Sequence, residues 1–185
     1  MVNLRYKVGG DLLQKIKQAK GHYFPEAQIL DWFTQIALAL KHCHDRKILH
    51  RDIKSQNVFL TSKNTTKLGD FGIAKVLSHT IDKARTIVGT PYYISPEIVQ
   101  NKPYNFTSDM WSLGVILYEL CALKPPFDAQ NIAALGIKIV KGIYSPIPNH
   151  YSRELKTFVS QLLSTEPTKR PGINTILSMS SIKLK

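Results

Sequence analysis

His50-Arg51-Asp52-Ile53-Lys54-Ser55-Gln56-Asn57, followed by Asp70-Phe71-Gly72, is the stretch on which the reading of this chain turns. Either fragment alone is weak, and each acidic residue taken singly reads as a solvated turn residue. Together, in this order and with Asp70 18 positions after Asp52, they form a specific pattern. The surrounding sequence frames them. Upstream, Phe24 to Arg46 predicts a helix, with Pro25 and Glu26 suited to its first turn and Ile29, Phe33, Ile36 and Leu40 at helical spacing. Between the two fragments lie the β-prone pieces Val58-Phe59-Leu60 and Lys67-Leu68-Gly69, separated by the polar turn Thr61 to Thr66. Downstream, Ile73 to Pro96 lacks sustained periodicity and reads as a long ordered loop, a feature that is usually functional in a compact domain.

Farther on, Ser108 to Cys121 is apolar nearly all round, which predicts the buried axis of the domain, ended by Pro125 and Pro126. Amphipathic helices are expected near Ile132 to Val140, Ser152 to Leu163 and Ile173 to Met179. The chain reads as mainly α with a minor β ribbon, without internal repeats or low-complexity linkers.

Bulk composition narrows the classes. The 185 residues are 43% hydrophobic and 21% charged, an ordinary globular balance that suits one domain with its own core. The longest apolar stretch, Trp111 to Leu123, is too short for a membrane span and contains Glu119. No amino-terminal signal pattern is present. The two cysteines, Cys43 and Cys121, each sit in a helix-like apolar pattern, which argues for a reducing, intracellular setting. The net charge of +12 is spread along the chain rather than gathered in a tail, and no nucleic-acid-binding signature accompanies it, so neither a nucleic-acid nor a membrane partner is expected.

Ser95-Pro96-Glu97 and Asp109-Met110-Trp111-Ser112-Leu113-Gly114 complete a run that resembles the catalytic half of a eukaryotic protein kinase, with Lys54 and Thr90 matching its serine/threonine branch. Within that family the chain is similar to the NIMA-related kinases. The likeness is carried by Ile48 through Asn57, Leu68-Gly69-Asp70-Phe71-Gly72-Ile73-Ala74, Gly89 through Glu97, Asn101-Lys102-Pro103-Tyr104-Asn105 and Leu117-Tyr118-Glu119-Leu120-Cys121. The resemblance implies a mainly α, kinase-like carboxyl-terminal lobe: a helical bundle around a buried central helix, with a short β ribbon at the catalytic loop. It makes residues 1–185 a partial kinase domain, with a hinge at about 4–10, a catalytic loop at 50–57, an activation segment at 70–97 and helices to about 180.

The resemblance also implies roles, for a serine/threonine protein kinase that moves the γ-phosphate of ATP, with Mg²⁺, to protein hydroxyls. Phosphoryl transfer needs a hydroxyl in line with the γ-phosphate and neutralisation of developing charge. Asp52 would orient the hydroxyl and take its proton, and Lys54 would sit against the γ-phosphate. Asn57 and Asp70 would offer Mg²⁺ hard oxygen ligands, and Gly72 would let the backbone turn after Asp70. Backbone groups of Arg5 and Lys7 would meet adenine, Asp11 a ribose hydroxyl, and Phe59 would form an adenine wall. Thr86 aligns with an activating phosphosite whose phosphate would pair with Arg51 and Lys75. Thr90 would link substrate docking to Asp52 and Lys54. His50 and Phe71 match an apolar stack, Asp109 the carboxylate that fixes the catalytic loop, and Glu97 with Arg170 a buried structural pair.

One departure shapes the expectation for activity. Three residues precede Leu4, so an amino-terminal lobe with its Gly-rich loop and strand lysine is expected to be absent. The 185 residues would then bind Mg-ATP poorly and phosphorylate slowly or not at all. The face toward the missing lobe, Phe71 included, would invite self-association. An alternative follows: a non-catalytic carboxyl-terminal lobe that binds proteins without turnover. Localisation is expected to be cytoplasmic or cytoskeletal, with centrosome and cilium among the family's sites.

Overall fold

Helix α4, Phe106–Ala122, forms the axis of the fold, and its sequence explains why. Fourteen consecutive residues, Ser108 through Cys121, are buried, so the helix has no solvent face. Asn105 caps its start, accepting the Thr107 N–H at 2.8 Å while its own N–H donates to Ser108 Oγ at 3.3 Å. Leu123 ends it in the left-handed region, at φ 57°. The computed structural model describes residues 9–69, 91–179 and 182.

In chain order the helices are α1 (Leu12–Gln18), α2 (Glu26–Asp45), α3 (Pro96–Val99), α4, α5 (Ile132–Lys141), α6 (Arg153–Leu162) and α7 (Ile173–Ser178), with strands β1 (Val58–Leu60) and β2 (Thr66–Leu68) between α2 and α3. The expected helix from Phe24 to Arg46 forms as α2, with Pro25 as its N-cap rather than within its first turn. Its face of Ile29, Phe33, Ile36 and Leu40 is fully buried. The ribbon is antiparallel, Val58 opposite Leu68 and Leu60 opposite Thr66, so its second strand starts one residue earlier than Lys67. Gln35 of α2 accepts the Thr66 N–H at 2.7 Å, and the Trp32 indole donates to Asn64 O at 3.0 Å, which seats the ribbon on α2.

The loop expected to run to Pro96 contains, in its described part, a short 3-10 turn at Pro91–Tyr93 and then the start of α3. α6 closes on α4 where Gly114 leaves room: a Cβ there would stand 2.7 Å from Leu162 Cβ. The start of α6 is fastened to the start of α2, as Ser152 donates N–H and Oγ to the Glu26 carboxylate at 2.8 and 2.6 Å. None of the described helices is long and apolar enough to cross a membrane.

Candidate active site

The segment 50–57 leaves α2 and enters β1, and it is shaped from below by one carboxylate. Asp109, in the first turn of α4 and fully buried, accepts the backbone N–H of His50 (3.1 Å) and of Arg51 (3.1 Å), faces His44 Nε2 at 2.8 Å and receives the Tyr104 hydroxyl. Burial alone would raise its pKa, but these four partners outweigh that and hold it low. The two backbone bonds matter because Arg51 has φ 65°, a conformation that a non-glycine residue keeps only where its surroundings impose it. Asp52 follows directly and stays partly exposed. Burial lowers the pKa of His50, Asp109 and Asp52 opposing it, which favours the neutral imidazole.

Two of the sequence-predicted residues, Lys54 and Asn57, meet the Asp52 carboxylate. Lys54 Nζ lies 2.9 Å from Asp52 Oδ2 and 3.1 Å from Oδ1. Asn57 Nδ2 donates to Asp52 Oδ2 at 2.9 Å and to Asp52 O at 2.8 Å. Both amide hydrogens of Asn57 are thereby directed at Asp52, which leaves Oδ1 as the oxygen suited to a hard cation. Asn57 is presented by a 3-10 turn, Ser55–Asn57, just before β1. The Asp52 and Lys54 side chains are 31% and 29% exposed, so the pair is ordered yet open to an incoming group.

Asp11 and Phe59 are also brought together, as opposite members of an isolated antiparallel bridge. Asp11 caps α1 by accepting the Gln14 N–H at 2.8 Å, and the Phe59 ring lies over Gly69, where a Cβ would stand 2.7 Å from Phe59 Cε2. Arg51 is exposed. Arg5, Lys7, Asp70, Phe71, Gly72, Lys75, Thr86 and Thr90 lie outside the described residues. Among the described residues no group of three His, Cys, Asp or Glu side chains is placed to hold a metal. Asn57 Oδ1 fits one ligand position of the expected Mg²⁺ site.

Behind the loop, Glu97 of α3 and Arg170 form a bidentate pair, both contacts at 2.8 Å, that joins the 91–99 segment to the far end of the chain. Sequence reasoning missed a second set. Tyr93 and Ser55 meet at their hydroxyls, and Tyr93 also reaches Glu119, next to a cavity of about 320 Å³ lined by Leu13, Ile16, Gln56 and Tyr92. A lone Glu119 in the apolar run of α4 was its only signal. His44, at the end of the buried stripe of α2, was missed as the partner of Asp109.

A protein kinase domain family model matches residues 1–182. The chain belongs to the protein kinase family, in its NIMA-related branch. It is 59% identical to mouse (Mus musculus) serine/threonine-protein kinase Nek1 over 93% of its own length and 14% of that protein. Human (Homo sapiens) serine/threonine-protein kinase Nek5 is 57% identical over 94% of the chain and 25% of its own length. Serine/threonine-protein kinase nekl-2 of Caenorhabditis elegans is 44% identical over 95% of the chain and 51% of its own. The kinase chain thus spans between about one seventh and one half of these relatives. By family it is a protein serine/threonine kinase, mainly α among the described residues, with a two-stranded ribbon following Asp52.

Proposed function

We propose that this chain carries the phosphate-transferring end of a serine/threonine protein kinase that uses Mg-ATP. The observation that carries the reading is the Asp52 carboxylate, fixed by Lys54 and Asn57 and still partly open. Asp52 orients an acceptor hydroxyl by accepting its hydrogen bond and takes its proton as the oxygen attacks. Lys54, which now lies on that carboxylate, turns its ammonium to the incoming γ-phosphate and offsets its charge. Asn57 Oδ1 and Asp70 hold the metal, whose contribution is to neutralise charge on the phosphates. Arg5, Lys7, Asp11 and Phe59 receive the nucleoside, and the pairing of Asp11 with Phe59 supports a common wall. Thr90 docks the acceptor, and a phosphate on Thr86 engages Arg51, whose exposure supports that role.

A second reading is a protein-binding lobe without turnover. Its support is Phe59, which is only partly buried where it bridges Asp11. In that form the wall at Asp11 and Phe59 pairs with a second copy or another protein. The two free, buried cysteines support a reducing cytoplasmic or cytoskeletal location.

Incubation of the 185-residue chain with Mg-ATP and a generic protein substrate separates the readings. Phosphate incorporation that Asp52→Asn abolishes supports the kinase; no incorporation from either chain favours the binding lobe; incorporation that survives the substitution refutes the role of Asp52.

A further inference from the structure

Ser55 stands between Lys54 and Asn57, yet it is fully buried. It opens the 3-10 turn that presents Asn57, and that turn has little internal support: the Asn57 N–H reaches Lys54 O at 2.9 Å, and a three-residue 3-10 segment is intrinsically weak. Its fixing comes from outside. The Ser55 N–H donates to the Tyr93 hydroxyl at 3.1 Å, and Ser55 Oγ lies 2.8 Å from the same oxygen. Tyr93 directs its own hydrogen to Glu119 Oε2 at 2.6 Å. A phenol has one hydrogen to give, so toward the Ser55 N–H it acts as acceptor. Glu119 belongs to the buried run of α4 and is itself 4% exposed.

We infer that Ser55 is a positioning residue: clamped through Tyr93 to Glu119 of α4, it holds Lys54 and Asn57 on either side of the Asp52 carboxylate. Both neighbours bond Asp52, so a displacement of Ser55 loosens two contacts to one carboxylate together. The same Tyr93 and Glu119 line the cavity described above, so the clamp also ties the loop to that cavity's wall. The consequence for catalysis rests on the proposed kinase function; the clamp does not.

Hydrogen exchange read by mass spectrometry on the 185-residue chain tests it, with Tyr93→Phe, Ser55→Ala and Ser55→Thr. Tyr93→Phe removes the only acceptor of the Ser55 N–H described here, and exchange at amides 54–57 is expected to rise roughly 10-fold while amides 113–118 of α4 keep their rates. Ser55→Ala keeps the N–H and is expected to give about a 3-fold rise, and Ser55→Thr to restore the wild-type rate. In phosphate transfer, Tyr93→Phe is expected to lower kcat roughly 10-fold with KM for ATP unchanged. Unchanged exchange at 54–57, an equal rise throughout α4, or an unaltered kcat would overturn the inference. Local loosening together with no transfer by the wild-type chain would uphold the clamp and refute the kinase reading instead.

Discussion

Arg170→Met isolates the contact that ties α3 to the segment between α6 and α7. The guanidinium donates to Glu97 Oε1 and Oε2, to Thr107 O and to Ser164 O, all at 2.8 Å, and lies 5.0 Å from the centroid of the Trp111 ring. Glu97 is 3% exposed. Burial pushes its pKa up, but the hydrogen bonds from Arg170 and Ser108 overcome this and set it at about 2, against an ordinary 4.5. At about 1.4 kcal/mol per tenfold, that drop corresponds to about 3 kcal/mol of stability. Because the folded value is depressed, this contribution is present above pH 4.5 and lost as pH falls toward 2. Removing Arg170 strands a carboxylate whose burial is then countered mainly by Ser108, and the expected loss at pH 7 is about 3–5 kcal/mol. The loss shrinks toward pH 4 as the stranded carboxyl protonates. Urea titrations followed by circular dichroism at pH 7 and pH 4 measure both numbers. Glu97→Gln with Arg170→Met removes the buried charge as well and is expected to cost less than the sum of the single changes. A single-variant loss under about 1 kcal/mol, or strict additivity, would refute the reasoning.

Three further outcomes follow from the same geometry. Burial raises the pKa of Glu119 to about 7 against the opposing Tyr93 and Ser55 bonds, so its contribution is full below pH 4.5 and lost as pH rises through 7; urea midpoints should fall across that window by about 3 kcal/mol of stability, and Glu119→Gln should flatten the slope. Gly114→Ala forces a Cβ to 2.7 Å from Leu162 Cβ and should cost about 1–3 kcal/mol, read as a drop in Tm of several degrees in a calorimetric scan. Asp109→Asn sets an amide against backbone N–H donors at His50 and Arg51, and should lower stability by about 2–4 kcal/mol and speed exchange at amides 50 and 51. Unchanged protection at those two amides would contradict the role given to Asp109.

What was legible in the sequence is what periodicity and residue type encode. The stripe of α2 and the all-apolar α4 carry their own signatures, and the ribbon is bounded by its polar turn. The cluster at Asp52 was legible because its members lie within six residues of one another, where spacing constrains geometry. Short elements were not: α3 has four residues and α1 seven, too few to establish a period. Contacts between distant residues escaped for a different reason. Tyr93 and Ser55 are 38 positions apart, and His44 and Asp109 65, and a hydrogen bond between side chains leaves no repeating trace in either segment. The left-handed Arg51 was equally silent, because arginine does not favour that conformation and only Asp109 beneath it explains its place.

In the proposed function Asp52, held by Lys54 and Asn57, directs phosphate onto a hydroxyl. The most direct test is the rate of γ-phosphate incorporation into a protein substrate by the 185-residue chain, side by side with Asp52→Asn. The account predicts slow incorporation that the substitution lowers by roughly 100-fold or more, the contribution expected of a positioned base. Incorporation that the substitution leaves unchanged would contradict it.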